Sequence, residues 1–288
     1  MGKSVVVTGA NSGIGLVTCL ELAGAGYDVI GTARSKAKTA RLHEVAATKG
    51  VEVRSIVLDV DDAASCGSAA AEIAAMTGGG PWGLVNNAGF AQSGAVEDVT
   101  DELVRAQLET NVVAPIRLAR LVLPSMRARG DGRIVNISSI AGRLSTPLMG
   151  WYCASKHALE AVTDALRMEV EADGVRVVLI EPGMFGTDIW SAAQEGGFPE
   201  PSHPRYALAY SRSQRLGTRS HRLPDPVWVA RTVRVALGNP VPLPRYLVGL
   251  DAVGGVLAET VVPTAVTDYV KGLGAGLRSL PRRVPFGK

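Results

Sequence analysis

Over about its first 240 residues the chain alternates between short apolar runs and longer segments, most of them with helical periodicity. The short runs are rich in Val and Ile and are bounded by turn-forming residues, a pattern that predicts strands. They cover residues 4–9, 27–34, 51–60, 82–89, 132–139, 175–183 and 245–249. The intervening segments predict helices over residues 13–25, a polar stretch up to 49, and residues 61–76, 101–129, 151–172 and 225–237.

Apolar strands that alternate with helices are typical of a parallel sheet covered on both faces. The predicted fold class is therefore α/β, with a single doubly wound parallel sheet and helices on both faces. We expect one domain over residues 1–250 and a C-terminal extension over residues 251–288. Within the domain, residues 184–223 lack a clear period and carry many small or turn-forming residues, which is typical of a substrate lid.

Composition and charge narrow the class of protein. Of the 288 residues, 47% are hydrophobic and 20% are charged, which favours a buried core over disorder. A net charge of +3 is too small to indicate a nucleic-acid partner. The most apolar stretch, residues 246–266, is interrupted by Asp251, Glu259 and Pro263, so no transmembrane segment is expected.

The cysteines and the N-terminus bear on the compartment. Cys19, Cys66 and Cys153 lie far apart and show no metal-ligand spacing, so we expect neither a disulfide framework nor a metal site. The first residues lead directly into a strand, without the apolar segment of a signal peptide. These features together predict a cytoplasmic location.

Polar and Gly-rich features recur where the predicted strands end. Parallel sheets bind ligands outside the carboxyl ends of their strands, so such features should converge on one edge. They are Thr8-Gly9, Asp59, Asn86 to Gly89, Ser138-Ser139 and Pro182-Gly183. The sequence therefore predicts one ligand site at this edge.

The stretch TGANSGIG at residues 8–15 places Gly9, Gly13 and Gly15 between the first strand and its helix. Glycines let the backbone approach a pyrophosphate closely, and the N–H groups of the helix start favour an anion. Glycine turns are common, but one directly between a strand and a helix favours dinucleotide binding.

The end of the second strand bears on which dinucleotide is bound. A carboxylate there would hold the ribose 2′-OH of NAD, whereas an arginine can accept the 2′-phosphate of NADP. The sequence reads GTARSK, with Arg34 and Lys36 and no acid. This favours NADP, and the alternative is a solvated basic loop.

In the stretch GWYCASKHALEAV, Tyr152 lies four residues before Lys156. Residues at this spacing share one face of a helix, so the phenol and the ammonium can point into the same space. An isolated pair of this kind would be an ordinary surface contact, but the neighbouring residues are small or apolar. This setting favours a catalytic pair.

Taken in order, these motifs resemble those of the short-chain dehydrogenases/reductases. The resemblance covers residues 3–250 and rests on TGANSGIG at 8–15, Asp59, NNAG at 86–89, Asn111, Ser139, YCASK at 152–156 and PGMFGT at 182–187. It implies a Rossmann-type fold and an oxidoreductase. The segment from residue 225 to 255 is similar to the branch with hydroxysteroid and retinol dehydrogenase-like members, which implies bulky apolar ketones or alcohols.

The resemblance also implies residue roles. The catalytic set would be Asn111, Ser139, Tyr152 and Lys156, with Tyr152 as general acid/base, Lys156 lowering the phenol pKa, Ser139 orienting the substrate oxygen and Asn111 supporting a proton-carrying water. For Asn111 a purely structural amide is the alternative, and for Asp59 a helix cap. The cofactor contacts would be Thr8, Gly9, Asn11, Ser12, Gly13, Ile14, Gly15, Arg34, Asp59, Val60, Asn87, Ala88, Gly89, Tyr152, Lys156, Pro182, Gly183 and Thr187.

Apolar residues in the lid indicate the substrate class. Ser139, Tyr152, Met184, Phe185 and Trp190 are the expected substrate contacts, and they favour a bulky hydrophobic ketone or secondary alcohol. The lid is also basic, which leaves open a 3-oxoacyl thioester on coenzyme A or acyl carrier protein. Its arginines are Arg205, Arg212, Arg215, Arg219 and Arg222.

The leading hypothesis is an NADP-dependent carbonyl reductase or alcohol dehydrogenase. A catalytically silent NADP-binding sensor or scaffold is an alternative of another class, against which the complete catalytic set argues. A lyase, isomerase or epimerase on the same fold fits the short chain less well. The resemblance further implies a homodimer or homotetramer through the helices at 101–129 and 151–172, while the substrate and the reaction direction stay open.

Overall fold

The computed structural model of the chain describes residues 2–187, 189, 199–217 and 223–278. Within them, seven strands form one parallel sheet: β1 (Ser4–Val7), β2 (Asp28–Ala33), β3 (Arg54–Val57), β4 (Gly83–Asn86), β5 (Gly132–Ile137), β6 (Val175–Pro182) and β7 (Arg245–Val248). In space they lie in the order β3-β2-β1-β4-β5-β6-β7. The predicted doubly wound sheet is confirmed, and the strand order reverses between β1 and β4, where a crevice forms.

Helices cover both faces of this sheet. They are α1 (Gly13–Gly24), α2 (Lys36–Thr48), α3 (Ala63–Thr77), α4 (Asp101–Leu108), α5 (Ala114–Arg129), α6 (Gly150–Val170), α7 (Ala207–Gly217), α8 (Val227–Gly238), α9 (Leu250–Val261) and α10 (Thr264–Ala275). Short 3₁₀ turns lie at Ile140–Gly142, Glu171–Asp173 and Pro204–Tyr206.

The alternation of side chains along β1 divides the core into two layers. Val5 and Val7 pack with residues of α1, α2 and α8 on one face. Val6, which points the other way, packs with residues of α3, α5 and α6 on the opposite face. Because both faces are covered, the central strands need apolar residues at every position, and all six residues of β5 are buried.

The predicted long helix at 101–129 is interrupted. A π-helical turn, Glu109–Val113, separates α4 from α5, and the Ala114 N–H bonds the Glu109 carbonyl, five residues back. Pro115 follows immediately and has no N–H with which to bond the Asn111 carbonyl, so the regular ladder cannot continue there. The turn carries Asn111 at its centre.

The predicted lid and the predicted C-terminal extension both contain helices. Part of the predicted lid forms α7, whose Ala, Leu, Gln and Arg residues are good helix formers although they carry no clear apolar period. The predicted extension forms α9 and α10, and Gly255 of α9 packs against Ile140 and Leu144. Within the described ranges, no helix combines the length and the apolar character needed to cross a bilayer.

Candidate active site

A cavity of about 550 Å³ opens at the carboxyl ends of the strands. Most of the predicted cofactor residues line it: Gly9, Asn11, Ser12, Gly13, Ile14, Arg34, Val60, Asn87, Ala88, Gly89, Tyr152, Lys156, Pro182, Gly183 and Thr187. Ser139 and Phe185 line it as well. The predicted convergence of the strand-end motifs is therefore what the structure shows.

The loop between β1 and α1 lets a ligand approach its backbone closely. Gly9 and Gly13 have φ angles of 65° and 51°, which side chains disfavour. A Cβ at Gly15 would lie 2.2 Å from the Gly9 carbonyl oxygen, so only glycine fits there. Ser12 gives no side-chain cap to α1, which leaves the N–H groups of the first turn for an anion. This cradle fits the pyrophosphate of a dinucleotide.

Thr8 and Asn87 hold the cradle against β4 and do not themselves need to touch a ligand. The Thr8 hydroxyl oxygen accepts from the backbone N–H of Asn87 at 3.0 Å and of Ala88 at 2.9 Å. The Asn87 amide donates to the Thr8 carbonyl at 2.9 Å. These bonds tie the loops after β1 and β4 together at the point where the strand order reverses.

The end of the cavity near β2 and β3 differs in detail from the prediction. Arg34 and Lys38 line it with exposed side chains, whereas Lys36 is not among the lining residues. Lys38 lies in the first turn of α2, where its N–H bonds the side chain of Ser35, the residue before the helix. A helix capped by Ser35, directly after Arg34, turns its first residues toward the end of β2. This cap was the one sequence signal that could have indicated Lys38.

Asp59 stands beside the cavity and does not line it. Its carboxylate accepts the Asp61 N–H at 3.2 Å, and the lining residues at this strand end are Leu58, Val60 and Asp61. Asp61 in turn accepts from the Thr110 hydroxyl at 2.7 Å. The helix cap of α3 is Asp62. The cofactor contact predicted for Asp59 remains a prediction, and the structure brings its neighbours to the cavity wall.

Tyr152 and Ser139 meet at the end of the cavity formed by β5 and α6. Tyr152 is 5% exposed, and both residues line the cavity. Burial raises the pKa of Tyr152 to about 12, and the Ser139 side chain lowers it in part. A pKa above the ordinary value for tyrosine means that the phenol keeps its proton at neutral pH. The lowering of this pKa by Lys156 remains a prediction.

Lys156 is buried beside Tyr152. Its Nζ donates to the Ile137 carbonyl at 2.9 Å and lies 5.8 Å from the centroid of the Tyr152 ring. Lys156 is 6% exposed, and burial lowers its pKa to about 8, while the charge of Glu160 raises it in part. The bond to the strand carbonyl fixes the position of this buried ammonium.

Asn111 is buried behind the cavity and does not line it. Its amide nitrogen donates to the Phe90 carbonyl and to the Ser155 hydroxyl, both at 3.0 Å, and its oxygen accepts the Phe90 N–H at 3.2 Å. Ser155 donates in turn to the Tyr152 carbonyl at 2.7 Å. Asn111 thus connects the loop after β4 to the backbone of Tyr152, a link through Ser155 that no sequence signal indicated.

The predicted substrate contacts divide. Phe185 lines the cavity, and Ile189, which was not among the predicted contacts, lines it too. Met184 is 37% exposed and is not among the lining residues. Trp190 lies outside the described residues.

Some lining residues carry no signal in the sequence, because they are ordinary residues of a strand, a loop or a helical turn. They are Ala33, Phe90, Thr110 and Ile137. Ser138, one of the strand-end residues expected at this edge, lines the cavity as well. The described part of the chain brings no three His, Cys, Asp or Glu side chains together in a group that could hold a metal ion.

Known proteins share these features. The sequence model of the family described as short chain dehydrogenase matches residues 3–196. An uncharacterized oxidoreductase of Bacillus subtilis, YusZ, is 37% identical over 277 residues, which cover 93% of this chain and 96% of the relative. The NADPH-dependent 3-dehydrocapnine reductase of Ornithobacterium rhinotracheale is 40% identical over 202 residues, which cover 68% of this chain and 70% of the relative.

A solved structure supports the same assignment. The crystal structure of a short-chain dehydrogenase from Streptomyces avermitilis is 34% identical and has a TM-score of 0.78, covering 94% of this chain and 96% of the other. Sequence and fold agree over nearly the whole length, and the predicted family resemblance is confirmed. The chain belongs to the short-chain dehydrogenase family of oxidoreductases.

Proposed function

We propose that the protein is an NADP-dependent carbonyl reductase or alcohol dehydrogenase that acts on a bulky hydrophobic ketone or secondary alcohol. The observation that carries this proposal is one cavity lined by the glycine loop, by Arg34, and by the Ser139, Tyr152 and Lys156 set. A sensor would need the first two features but not the third.

The protein's groups suit ketone reduction. A bound reduced nicotinamide supplies the hydride for the carbonyl carbon. Tyr152, whose pKa burial raises to about 12, is protonated at neutral pH and donates the phenol proton to the substrate oxygen. Ser139 holds that oxygen beside the phenol. Lys156, fixed by the Ile137 carbonyl, presents its ammonium to the ribose hydroxyls.

Asn111 keeps this arrangement in register. Its bonds to Phe90 and Ser155 fix the loop after β4 against the first turns of α6, which carry Tyr152. We propose that it also supports a water through which Tyr152 regains its proton. A displacement of about 1 Å at such a position can cost about 100-fold in rate.

The preference for NADP rests on the charges at the end of β2. Arg34 and Lys38 are exposed and line the cavity where a ribose 2′-phosphate would lie. The last residues of β2 before Arg34 are Gly31, Thr32 and Ala33, so no carboxylate stands at this strand end. Arginine suits phosphate because its fork of N–H groups bonds two oxygens at once. The related reductase named above is NADPH-dependent, which supports the same choice.

The wall beside Tyr152 favours an apolar substrate. Ala91, Ala141 and Cys153 form a small buried cluster with Tyr152, and Met149 and Ile189 pack against it. Of these, Tyr152 and Ile189 line the cavity, together with Phe185. Such an apolar lining gains free energy from a hydrocarbon substrate and offers few partners to a charged one. The alternative substrate, an acyl thioester on an acidic carrier, loses one support because Arg212 donates to the Leu273 and Gly274 carbonyls at 3.0 Å. Arg219 and Arg222 lie outside the described residues.

The test is a fluorescence titration with NADPH and NADH of the protein and of the Arg34→Ala variant. A charge-assisted bond to phosphate contributes about 1.5–3 kcal/mol, so the variant should bind NADPH about 10- to 100-fold more weakly and NADH equally well. Lys36→Ala is the matched control. Lys36 carries the same charge two residues after Arg34, but its side chain does not line the cavity.

Equal NADPH affinity of the protein and the Arg34→Ala variant would refute the NADP assignment and favour NAD-linked alcohol oxidation. A loss of the same size in Lys36→Ala would point to a diffuse charge effect instead of a phosphate contact. Failure to bind either dinucleotide would overturn the enzyme proposal as a whole.

A further inference from the structure

Two buried glutamates next to the site have no part in the chemistry proposed so far. Glu160 lies one helical turn after Lys156 on α6, and its side chain is 7% exposed. Glu181 lies near the end of β6, and its side chain is 0% exposed. Burying a carboxylate is costly unless it is paired or protonated, so each needs a physical account.

The two carboxyl groups face each other. They converge on one nitrogen, since the Arg245 Nε lies 3.1 Å from Glu160 Oε2 and 3.2 Å from Glu181 Oε1. The other oxygen of Glu160, Oε1, is buried and receives no hydrogen bond from the described part of the chain. Two ionised carboxylates that share one N–H group in a buried place repel each other, and a proton on one of them removes this repulsion.

The charges around the pair come from several elements. Arg143, after the 3₁₀ turn, donates to both oxygens of Glu181 at 3.3 and 3.4 Å. Arg245 of β7 also pairs with Asp164 of α6, which Arg167 bonds at 2.6 Å. On α9, Asp251 accepts instead from the backbone N–H of Met184 at 2.6 Å.

Among the described residues, three arginines face three carboxylates in this cluster, but burial still disfavours the charge on Glu181. Burial and the charge of Glu160 raise the pKa of Glu181 to about 7, although Arg143 lowers it in part. The Glu181 carboxyl therefore holds a proton more tightly than an exposed glutamate does, in a place that solvent does not reach.

Glu160 connects this proton to the active site. Its carboxylate lies one turn from Lys156 and favours the ammonium form, which burial disfavours. We propose that Glu160 and Glu181 hold one proton between them and that this pair, through Glu160, keeps Lys156 in its ammonium form. Both glutamates are then positioning residues. The role at Lys156 rests on the function proposed above, whereas the shared proton does not.

This arrangement makes the charge on Lys156 resistant to rising pH. When the pH rises, Glu160 and Glu181 lose the shared proton, and both then carry a negative charge. This second charge appears as the buried Lys156 ammonium would begin to deprotonate. The added charge opposes that loss.

The first experiment measures the shared proton without cofactor or substrate, by urea unfolding between pH 5 and pH 8. Folded Glu181 binds its proton more tightly than a glutamate in the unfolded chain, because its pKa is raised from 4.5 to about 7. The unfolded state therefore loses its proton first as the pH rises, and the unfolding midpoint of the natural protein should fall across this window.

In Glu181→Gln the fall attributable to this group should vanish, since glutamine is neutral throughout. Glu171→Gln, a change of the same kind at a side chain that is 68% exposed, should keep the fall of the natural protein. If Glu181→Gln keeps it as well, no shared proton exists and the proposal is overturned.

The second experiment measures Lys156 through the pH dependence of NADPH binding in Glu160→Gln and in Glu160→Asp. Loss of the carboxylate should shift the alkaline decline in affinity downward by about one pH unit, a change of about 1.4 kcal/mol between protonation states. Glu160→Asp keeps the charge and should restore the natural profile.

Identical profiles in all three proteins would overturn the link to Lys156. If no protein binds NADPH, the proposed function fails, and the unfolding experiment still decides whether the proton is shared. If Glu160→Gln does not fold, Glu160→Asp is compared with Glu181→Gln instead. Glu181→Gln leaves Glu160 ionised beside a neutral side chain, so the pair cannot gain its second negative charge as the pH rises. The alkaline decline in NADPH affinity should therefore lie at lower pH in Glu181→Gln than in Glu160→Asp.

Discussion

At the scale of single residues, the proposed reaction depends on one phenol that holds its proton. Burial raises the pKa of Tyr152 to about 12, and the buried Lys156 ammonium is bound to a strand carbonyl instead of to the phenol oxygen. A tyrosine in this state is a proton donor to a ketone. For the reverse reaction it needs a positive charge nearby, which the oxidised nicotinamide would supply.

Tyr152→Phe should therefore lower kcat by about 10²- to 10⁴-fold, the usual contribution of a general acid, with little change in NADPH affinity. The ring still fills its place against Ala91 and Ala141. Steady-state kinetics and an NADPH titration check this.

The control for this prediction is Tyr246→Phe. It removes a hydroxyl group on β7 that accepts the Leu243 N–H, and Tyr246 does not line the cavity. It should leave kcat unchanged. Loss of NADPH binding in Tyr152→Phe would contradict the catalytic assignment and indicate a structural role.

At the scale of elements, the interruption between α4 and α5 decides where Asn111 lies. Pro115 cannot bond the Asn111 carbonyl, and the wider turn before it directs the amide to Phe90 and Ser155. A π-turn of this kind is frequently found at functional sites, because it re-aims one side chain within an otherwise regular helix.

Pro115→Ala restores the missing N–H and favours a regular ladder through residue 115. We expect kcat to fall about 10- to 100-fold as Asn111 turns away from Ser155. Pro124, in the interior of α5, is the matched control. Pro124→Ala should raise the free energy of unfolding by up to about 3 kcal/mol and leave kcat unchanged, because it restores a helix bond far from the cavity. An unchanged kcat in Pro115→Ala would show that the turn does not depend on proline.

The sequence predicted the strands and most helices because their signals are local. Apolar runs, glycines at strand ends and the spacing of Tyr152 and Lys156 all follow from neighbouring residues. The interrupted helix was missed because the periodicity of residues 101–129 continues across the break, and Pro115 is tolerated in the first turn of a helix.

The contacts that could not be predicted join residues far apart in sequence. Ser155 bonds Asn111 across 44 positions, and Arg245 meets Glu160 across 85. Lys38 was missed for a different reason, since only the geometry of the first turn of α2 brings it to the cavity. Buried polar networks of this kind have no local signal, because each partner is an ordinary residue of its own helix or strand.

At the scale of the whole molecule, the order of the strands separates two tasks. The residues proposed to read the cofactor, Arg34 and Lys38, follow β2, while Ser139, Phe185 and Ile189 follow β5 and β6. Three strands, β1, β4 and β5, lie between β2 and β6. At about 4.8 Å per strand spacing, the two ends are about 19 Å apart.

Substitutions at the two ends should therefore act independently. Arg34→Ala is expected to weaken NADPH binding, and Ile189→Ala to raise the KM of an apolar ketone. Sites farther apart than about 10 Å usually add to within about 0.5 kcal/mol, so the double variant should show the sum of both effects in each parameter. A double-variant cycle on kcat/KM checks this, and a coupling of more than 1 kcal/mol would contradict it.

The reversal of strand order between β1 and β4 then has a consequence for how such an enzyme can change. Under the proposed function, loops from one half of the sheet would select the coenzyme and loops from the other half the substrate. The Thr8–Asn87 hydrogen bonds join the two halves. Evolution or protein design could then replace the loops of one half to accept a new ketone, while the coenzyme preference stays the same. The two properties can be inherited, tuned and lost separately.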